Sequence, residues 1–350
     1  MAKKYLALIC AAGVGTRMQS QVPKQYLSLT YENKQQPILG ITIQKFLAVE
    51  DIDSVLVALN ENDSYASQLL PAWFDSFTAY NLKGKLYLYS QTNSQVKACL
   101  GYGERIHTVY SLLANAMQLC LEQDYDPAQT YVLIHDAARV GIKSSDIQSI
   151  IHACSTLDQI DHLEQLKVTE QSFVPEDPKI DEKDRACPSF LAGILPGMRC
   201  TDSVKLLQAD NQNLITDNLD RKQIYLAQTP QTFNLLYFYY LLSKLLMHLD
   251  EPSLESKTYF SSYSYFLTYC EQLQLLEKSK IAELKFVYNN KIKSKSLDEI
   301  LQILTDDVSV LTLLGDQVIV HEMGKHNLKV TLPEDLALAQ YYLTQEAQLD

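Results

Sequence analysis

Short apolar runs alternate with stretches of helical spacing along the first part of the chain. Tyr5 to Ala12 (YLALICAA), Ser54 to Leu59 (SVLVAL) and Tyr131 to His135 (YVLIH) have the length and composition of strands, and Lys85 to Ser90 reads as another. Pro37 to Val49, Asp63 to Phe77 and Ile106 to Leu121 are predicted to be helices, and Leu235 to Leu249 is a later one. Strands alternating with helices predict an α/β fold, a mainly parallel sheet flanked by helices, with ligands outside the carboxyl ends of the strands. Two stretches break the alternation. Residues 158–188 are polar and charged, with acidic clusters, and read as a solvated excursion. Residues 250–304 begin rich in tyrosine (TYFSSYSYFLTYC) and continue with amphipathic helical spacing, which suits packing of added helical material better than a binding surface.

Chemistry enters where the first strand ends. Gly13 and Gly15 follow the apolar run directly, and Arg17 and Lys24 lie just beyond them. Glycines admit backbone geometry closed to other residues and let N–H groups approach phosphate oxygens, while the two cations offset charge that remains. The order therefore reads as a strand feeding an anion cradle suited to a triphosphate. It is not a P-loop, because Lys24 is followed by Gln25 rather than by serine or threonine. Nor is it a dinucleotide fingerprint, since Met18 stands where a third small residue belongs. A tight turn with no ligand is the plainer reading of two glycines, and the paired cations shift the balance.

Charge and cysteine usage narrow the setting. The 350-residue chain carries a formal net charge of −12, which argues against a nucleic-acid surface and concentrates interest on local basic groups. Its 7 cysteines are scattered without a C-x-x-C pair, a pattern that suits reduced thiols in a cytoplasm. Lys3 and Lys4 precede an apolar run, but that run leads into a polar loop rather than a cleavage-like segment, and no stretch reaches the roughly 18 apolar residues of a membrane span.

The string AAGVGTRM followed by PKQYL resembles the nucleotide-binding loop of the 2-C-methyl-D-erythritol 4-phosphate cytidylyltransferases. Further segments extend the likeness: GYGERIHTV (Gly101 to Val109), HDAARV (His135 to Val140), TDSVK (Thr201 to Lys205), NLDRKQIYLAQTPQTF (Asn218 to Phe233), TDDVSVL (Thr305 to Leu311) and the closing VIVHEMGKHNLKVT and LPEDLALAQYYL. Departures from the family pattern stand at Tyr102 in place of a glycine, Val140 in place of a proline, and Lys222 and Gln223 in place of small residues. The resemblance implies a single Rossmann-like nucleotidyltransferase domain over residues 1–350, with a dimerising β-arm and helical insertions at about 158–188 and 250–304.

The same resemblance implies an activity: CTP and 2-C-methyl-D-erythritol 4-phosphate give 4-diphosphocytidyl-2-C-methyl-D-erythritol and pyrophosphate, with Mg²⁺ as cofactor and a cytoplasmic homodimer as the working form. By carry-over, Arg17 and Lys24 are catalytic, and Ala11, Ala12, Gly13, Gly15, Arg105 and Thr108 bind the nucleotide. Asp136, Ala137, Arg139, Thr229 and Lys329 face the second substrate, Asp136 is a candidate metal ligand, and Ser203 and Arg221 act across the dimer. Read without the resemblance, Asp136 suits a loop-structuring aspartate, Thr108 a first-turn helix residue, Arg221 a surface charge and Lys329 a strand-end lysine. Two alternatives stand beside this reading: a ribitol-5-phosphate cytidylyltransferase, whose loops tend to read A-G-G and H-D-A-V-R, and a catalytically silent nucleotide-binding scaffold.

Overall fold

The structure, a computed structural model, describes residues 2–13, 18, 20–74, 77–82, 85–90, 95–159, 191–208, 213–249, 299, 303–314 and 316–348. Its centre is a sheet of predominantly parallel strands. β1 (Lys4–Cys10) lies between β4 (Ile52–Asn60) and β8 (Thr130–Asp136), parallel to both, and β7 (Val96–Gly101) adds in parallel outside β4. Beyond β8, β13 (Gln231–Asn234) runs antiparallel and hands over to β9 (Leu191–Arg199). β14 (Gln317–Glu322) pairs with β9 in parallel, and β12 (Tyr225–Ala227) pairs with its far end.

Side-chain alternation sends each strand's residues to opposite faces, and each face has its own helical cover. Leu6 and Leu8 of β1, Leu56 of β4 and Val132 and Ile134 of β8 pack with α4 (Arg105–Gln123), α6 (Leu235–Leu249) and α7 (Val308–Leu314). Ala7 and Ile9, Val55 and Val57, and Leu133 face the other way, against α1 (Ile38–Leu47) and α5 (Ser144–Gln159). A third cluster joins Ile38 and Ile41 of α1 to Val140, Val330 and the last helix, α8 (Pro333–Glu346). α8 opens with Pro333 at its first turn and Glu334 and Asp335 behind it, the arrangement favoured at the positive end of a helix dipole. No helix among the described residues is long and apolar enough to cross a membrane.

Several elements differ from the pattern read along the chain. The helix expected over Asp63 to Phe77 is broken into α2 (Ala66–Leu69) and α3 (Pro71–Phe74), and the chain is already a strand at Phe77. Pro71 is the cause, since it lacks an N–H and disfavours helical geometry at the residue before it; Leu70 sits at φ −130°, ψ 49°. The strand Lys85–Ser90 (β6) forms, but it pairs antiparallel with β5 (Phe77–Leu82) in a separate hairpin. Strand β7, helix α5 and the hairpin of β2 (Ser28–Tyr31) with β3 (Lys34–Pro37) were not apparent from periodicity. The stretches 158–188 and 250–304 lie outside the described residues except at 158–159, 299 and 303–304.

Phe46 is fully buried where α1 meets the sheet, with its ring edge-on to His135 at 5.2 Å between centroids. Phe46→Ala is expected to lower unfolding free energy by about 3–5 kcal/mol, through lost burial and the cavity left behind, as read by urea denaturation.

Candidate active site

The carboxyl ends of β1, β4, β7 and β8 lie side by side, and the loops that leave them form one cleft. The chain turns away from β1 through Ala11, whose N–H donates to Ala58 O at 3.0 Å. Gln25, buried beneath the loop, then holds it from the far side: its Nε2 donates to Ala11 O at 2.7 Å and to Gly13 O at 3.1 Å. Gly101 closes the approach from β7, because a Cβ there would stand 2.3 Å from the Cβ of Ala12. The next turn is fixed by Thr108 of α4, whose hydroxyl accepts from the Tyr102 N–H at 2.8 Å and donates to the Tyr102 carbonyl at 2.9 Å. The resulting open cleft, with a cavity volume of about 200 Å³, is bounded by these loops, by Lys24, Arg105 and Lys329, and by Asp136 to Ala138.

Asp136 ends β8 and gathers the cations. Arg105 Nη1 donates to its Oδ1, Lys329 Nζ reaches Oδ2 at 2.8 Å, and Arg139 Nε lies 3.7 Å from Oδ2. Burial alone would raise the Asp136 carboxyl, but Arg105 and Lys329 outweigh it and hold the group well below the usual carboxylate range. Arg105 is gripped from behind by Asp307, which accepts from Nε at 3.2 Å and Nη2 at 2.7 Å. Burial opposes the Arg105 charge, while Asp307 and Asp136 more than offset that and keep the guanidinium protonated. Arg139 donates from Nη1 to Asn327 O at 2.8 Å and from Nη2 to Ala227 O at 3.3 Å. Lys24 Nζ donates to Val330 O at 3.1 Å, drawing the first loop toward the segment before α8.

Beneath the cleft runs a chain of neutral hydrogen bonds. Thr229 Oγ1 accepts from the Asp136 N–H at 3.1 Å and lies 3.0 Å from His135 Nδ1, while His135 Nε2 lies 3.2 Å from Arg139 O. One tautomer satisfies all three contacts: Thr229 donates to Nδ1, and Nε2–H donates to the carbonyl. Burial pushes the His135 pKa down to about 3, so the ring is neutral and serves as a strut.

The structure brings together most of the residues singled out from sequence. Ala11, Ala12, Gly13, Lys24, Arg105, Thr108, Asp136, Ala137 and Lys329 all border the cleft, and Arg139 and Thr229 contact Asp136. Gly15 and Arg17 lie outside the described residues. Ser203 and Arg221 do not border the cleft; both are exposed beside the hairpin of β10 (Val204–Leu207) and β11 (Ile215–Leu219), where Arg221 Nη1 donates to Thr201 O at 2.7 Å. Sequence reasoning missed Gln25, Asp307 and Asn327. Each was visible within a quoted motif, but an amide or carboxylate that acts by bonding a distant backbone or guanidinium leaves no periodic signal.

A family model described as 2-C-methyl-D-erythritol 4-phosphate cytidylyltransferase (IspD) matches residues 5–161 and 287–345. A relative bearing that name from Actinobacillus pleuropneumoniae serotype 7 is 27% identical over 348 residues, spanning 99% of this chain and 100% of the relative. Another, from Haemophilus influenzae strain PittEE, is 24% identical over 344 residues and 98% of each chain. The solved structure of a 4-diphosphocytidyl-2C-methyl-D-erythritol synthase from Anaerococcus prevotii DSM 20548 covers 98% of this chain and 99% of its own, with a TM-score of 0.53 at 16% identity. That last likeness speaks to the fold.

His135 generates a pH dependence. In the unfolded chain an imidazole takes up a proton below about 6.5, whereas the folded ring does so only near 3. The unfolded state therefore binds more protons between these values, and stability falls as pH drops through that window. His135→Gln, which can keep both hydrogen bonds, is expected to flatten this loss by up to about 3 kcal/mol, read by urea unfolding between pH 7 and pH 4. Parallel curves for the two proteins would contradict the neutral strut.

Proposed function

This chain belongs to the 2-C-methyl-D-erythritol 4-phosphate cytidylyltransferase family, and from that premise we propose that its cleft transfers the cytidylyl group of CTP to 2-C-methyl-D-erythritol 4-phosphate. The observation that carries the reading is the convergence of Arg105, Arg139 and Lys329 on Asp136, beside a glycine-bearing loop that also presents Lys24. An oxygen of the phosphate monoester attacks the α-phosphorus, the bond to the β,γ-diphosphate breaks, and pyrophosphate leaves with the bonding electrons. The attacking oxygen is already anionic, so no general base is required, and catalysis rests on bringing two anions together and offsetting their charge.

On this reading Lys24 and Arg17 hold the triphosphate and the charge that builds at the α-phosphorus. Ala11, Ala12, Gly13 and Gly15 supply the loop backbone, Arg105 and Thr108 shape the nucleotide side, and Asp136 orients Lys329 and Arg139 toward the second phosphate. Ala137 and Thr229 fix the strand end from which Asp136 projects. Asp136 is the cleft's carboxylate, but Arg105 and Lys329 already occupy its two oxygens, and the described residues contain no cluster of three or more metal-ligating side chains. The cleft thus fits a Mg²⁺ ion carried in on the CTP phosphates, where it would offset their charge.

We further infer a cytoplasmic homodimer in which the β10–β11 arm reaches the neighbouring cleft, bringing Ser203 and Arg221 to the second substrate. The arm exposes Leu206, Leu207, Leu214 and Ile215, the last at 61%, an apolar ribbon that favours cover by another subunit. Cys10, Cys99, Cys120, Cys154 and Cys200 are free thiols, in keeping with a reducing compartment.

Incubation of the purified protein with CTP, Mg²⁺ and either methylerythritol phosphate or ribitol 5-phosphate, followed by mass spectrometry, is expected to give the cytidine-diphosphate adduct of methylerythritol. Product from ribitol phosphate instead would overturn the substrate, and no product from either would overturn the reaction. Lys24→Ala is expected to lower kcat by about 100-fold or more, since it removes transition-state charge stabilisation worth several kcal/mol. Lys24→Ala mixed with Arg221→Ala is expected to recover activity through heterodimers that hold one intact composite site; no recovery under verified subunit exchange would rule out a trans-acting arm.

A further inference from the structure

Arg105 borders the cleft, yet the carboxylate that grips it most fully does not. Asp307 is 5% exposed and takes two hydrogen bonds from one edge of the guanidinium, Nε and Nη2, which leaves Nη1 for Asp136. The backbone that carries Asp307 is itself clamped on both sides by Gln231, buried on β13. Gln231 Nε2 donates to Asp306 Oδ2 at 2.9 Å, and its Oε1 accepts from the Val308 N–H at 2.8 Å. Asp306 also caps α7, accepting from the Ser309 N–H at 3.0 Å. A single line of contacts therefore runs from β13 through Asp307 and Arg105 to Asp136 and on to Lys329.

We propose that Asp307 is a positioning residue for cytidylyl transfer, which keeps Arg105 directed at Asp136 and off the incoming phosphates, and that Gln231 holds Asp307 in place. The inference rests on the reaction proposed above. Its physical ground is competition. A half-buried guanidinium beside a triphosphate site has a stronger partner available than one carboxylate, because the nucleotide brings several negative charges. Without a second anchor Arg105 turns to the triphosphate, binds it in the ground state, and leaves Asp136 with one cation fewer. Interactions of that kind tighten substrate binding without speeding the chemical step. Asp307 prevents this by taking the two donors on the far edge of the fork, a geometry a planar guanidinium meets well and a lysine would not. It also lowers the net positive charge beside the cleft, where Arg105, Arg139 and Lys329 gather on Asp136.

Asp307→Asn keeps the size of the side chain and removes its charge and one acceptor. The expected result is a fall in kcat of about tenfold or more, with the KM for CTP unchanged or lowered, the signature of an interaction gained in the ground state and lost in the transition state. Asp307→Glu, which retains a two-oxygen grip, is expected to recover part of kcat, and Gln231→Leu to show the same split more weakly. Wild-type protein is assayed alongside. If the wild type forms product and Asp307→Asn keeps its kcat, the inference fails and the reaction stands. A fall in apparent kcat that matches the fraction of unfolded protein by circular dichroism, with KM unmoved and no recovery in Asp307→Glu, marks a structural carboxylate and also overturns it. A wild type that transfers cytidylyl to neither polyol phosphate removes the reaction, and the inference with it.

Discussion

An ionised carboxylate sunk to 7% exposure at the end of a central strand costs several kcal/mol unless cations and hydrogen bonds compensate it. Asp136 is that carboxylate, and its compensation comes from three separate parts of the chain: Arg105 at the start of α4, Arg139 in the loop after β8, and Lys329 ahead of α8. Each cation must be held where it is for Asp136 to remain charged, so the carboxylate fixes the relation of these segments. The dependence also runs the other way. Three cations crowded on one side of a cleft repel one another, and the buried negative charge at their centre is what allows them to stay close when no anionic ligand is bound. A phosphate arriving there meets a preassembled positive surface rather than one it must gather.

The loops around that centre are fixed by polar contacts and close packing rather than by regular structure. Gln25 occupies the carbonyls of Ala11 and Gly13 while the Ala11 N–H is taken by Ala58 O, so the start of the loop is held on both of its polar edges. Thr108 spends its hydroxyl on Tyr102, so its contribution is the shape of the turn. Asn327 does the same beneath Arg139: it is fully buried and its side-chain amide donates to Gln228 Oε1 and Thr229 O, while its backbone carbonyl accepts from Arg139. These amides act at a distance along the chain of more than ninety residues in the case of Asn327, and they turn a set of loops into a stiff frame.

What the sequence revealed follows the same division. Strands β1, β4 and β8, and helices α1, α4 and α6, were legible because burial on one or both faces imposes a period on the chain. β7 was not, since Lys97 interrupts its apolar run, and α5 was hidden by the polar residues of its outer face. The cleft was legible where glycines and cations cluster within one motif, as at Gly13 and Lys24 or Asp136 and Arg139. Contacts such as Arg105 with Asp307 join positions some two hundred residues apart and required the fold. Arg17 and Gly15, central to the reading, stand outside the described residues, and their roles rest on the motif.

The departures from the family pattern fall where some other contact already sets the backbone. Tyr102 replaces a glycine, and both of its backbone polar groups are tied to Thr108 Oγ1, so the turn does not depend on glycine's freedom. Val140 replaces a proline in a loop pinned by the Arg139 N–H to Asp136 O, by His135 to Arg139 O and by the Val330 N–H to Ala138 O; its side chain is fully buried against the α8 cluster. Rigidity that a proline ring would supply is supplied there by burial and three hydrogen bonds. Lys222 and Gln223 lie in a single helical turn after Asp220, whose side chain accepts from the Lys222 N–H, so a small residue is not needed to make the bend. At each position the backbone is held by hydrogen bonds or burial that do not depend on a glycine, a proline or a small side chain standing there.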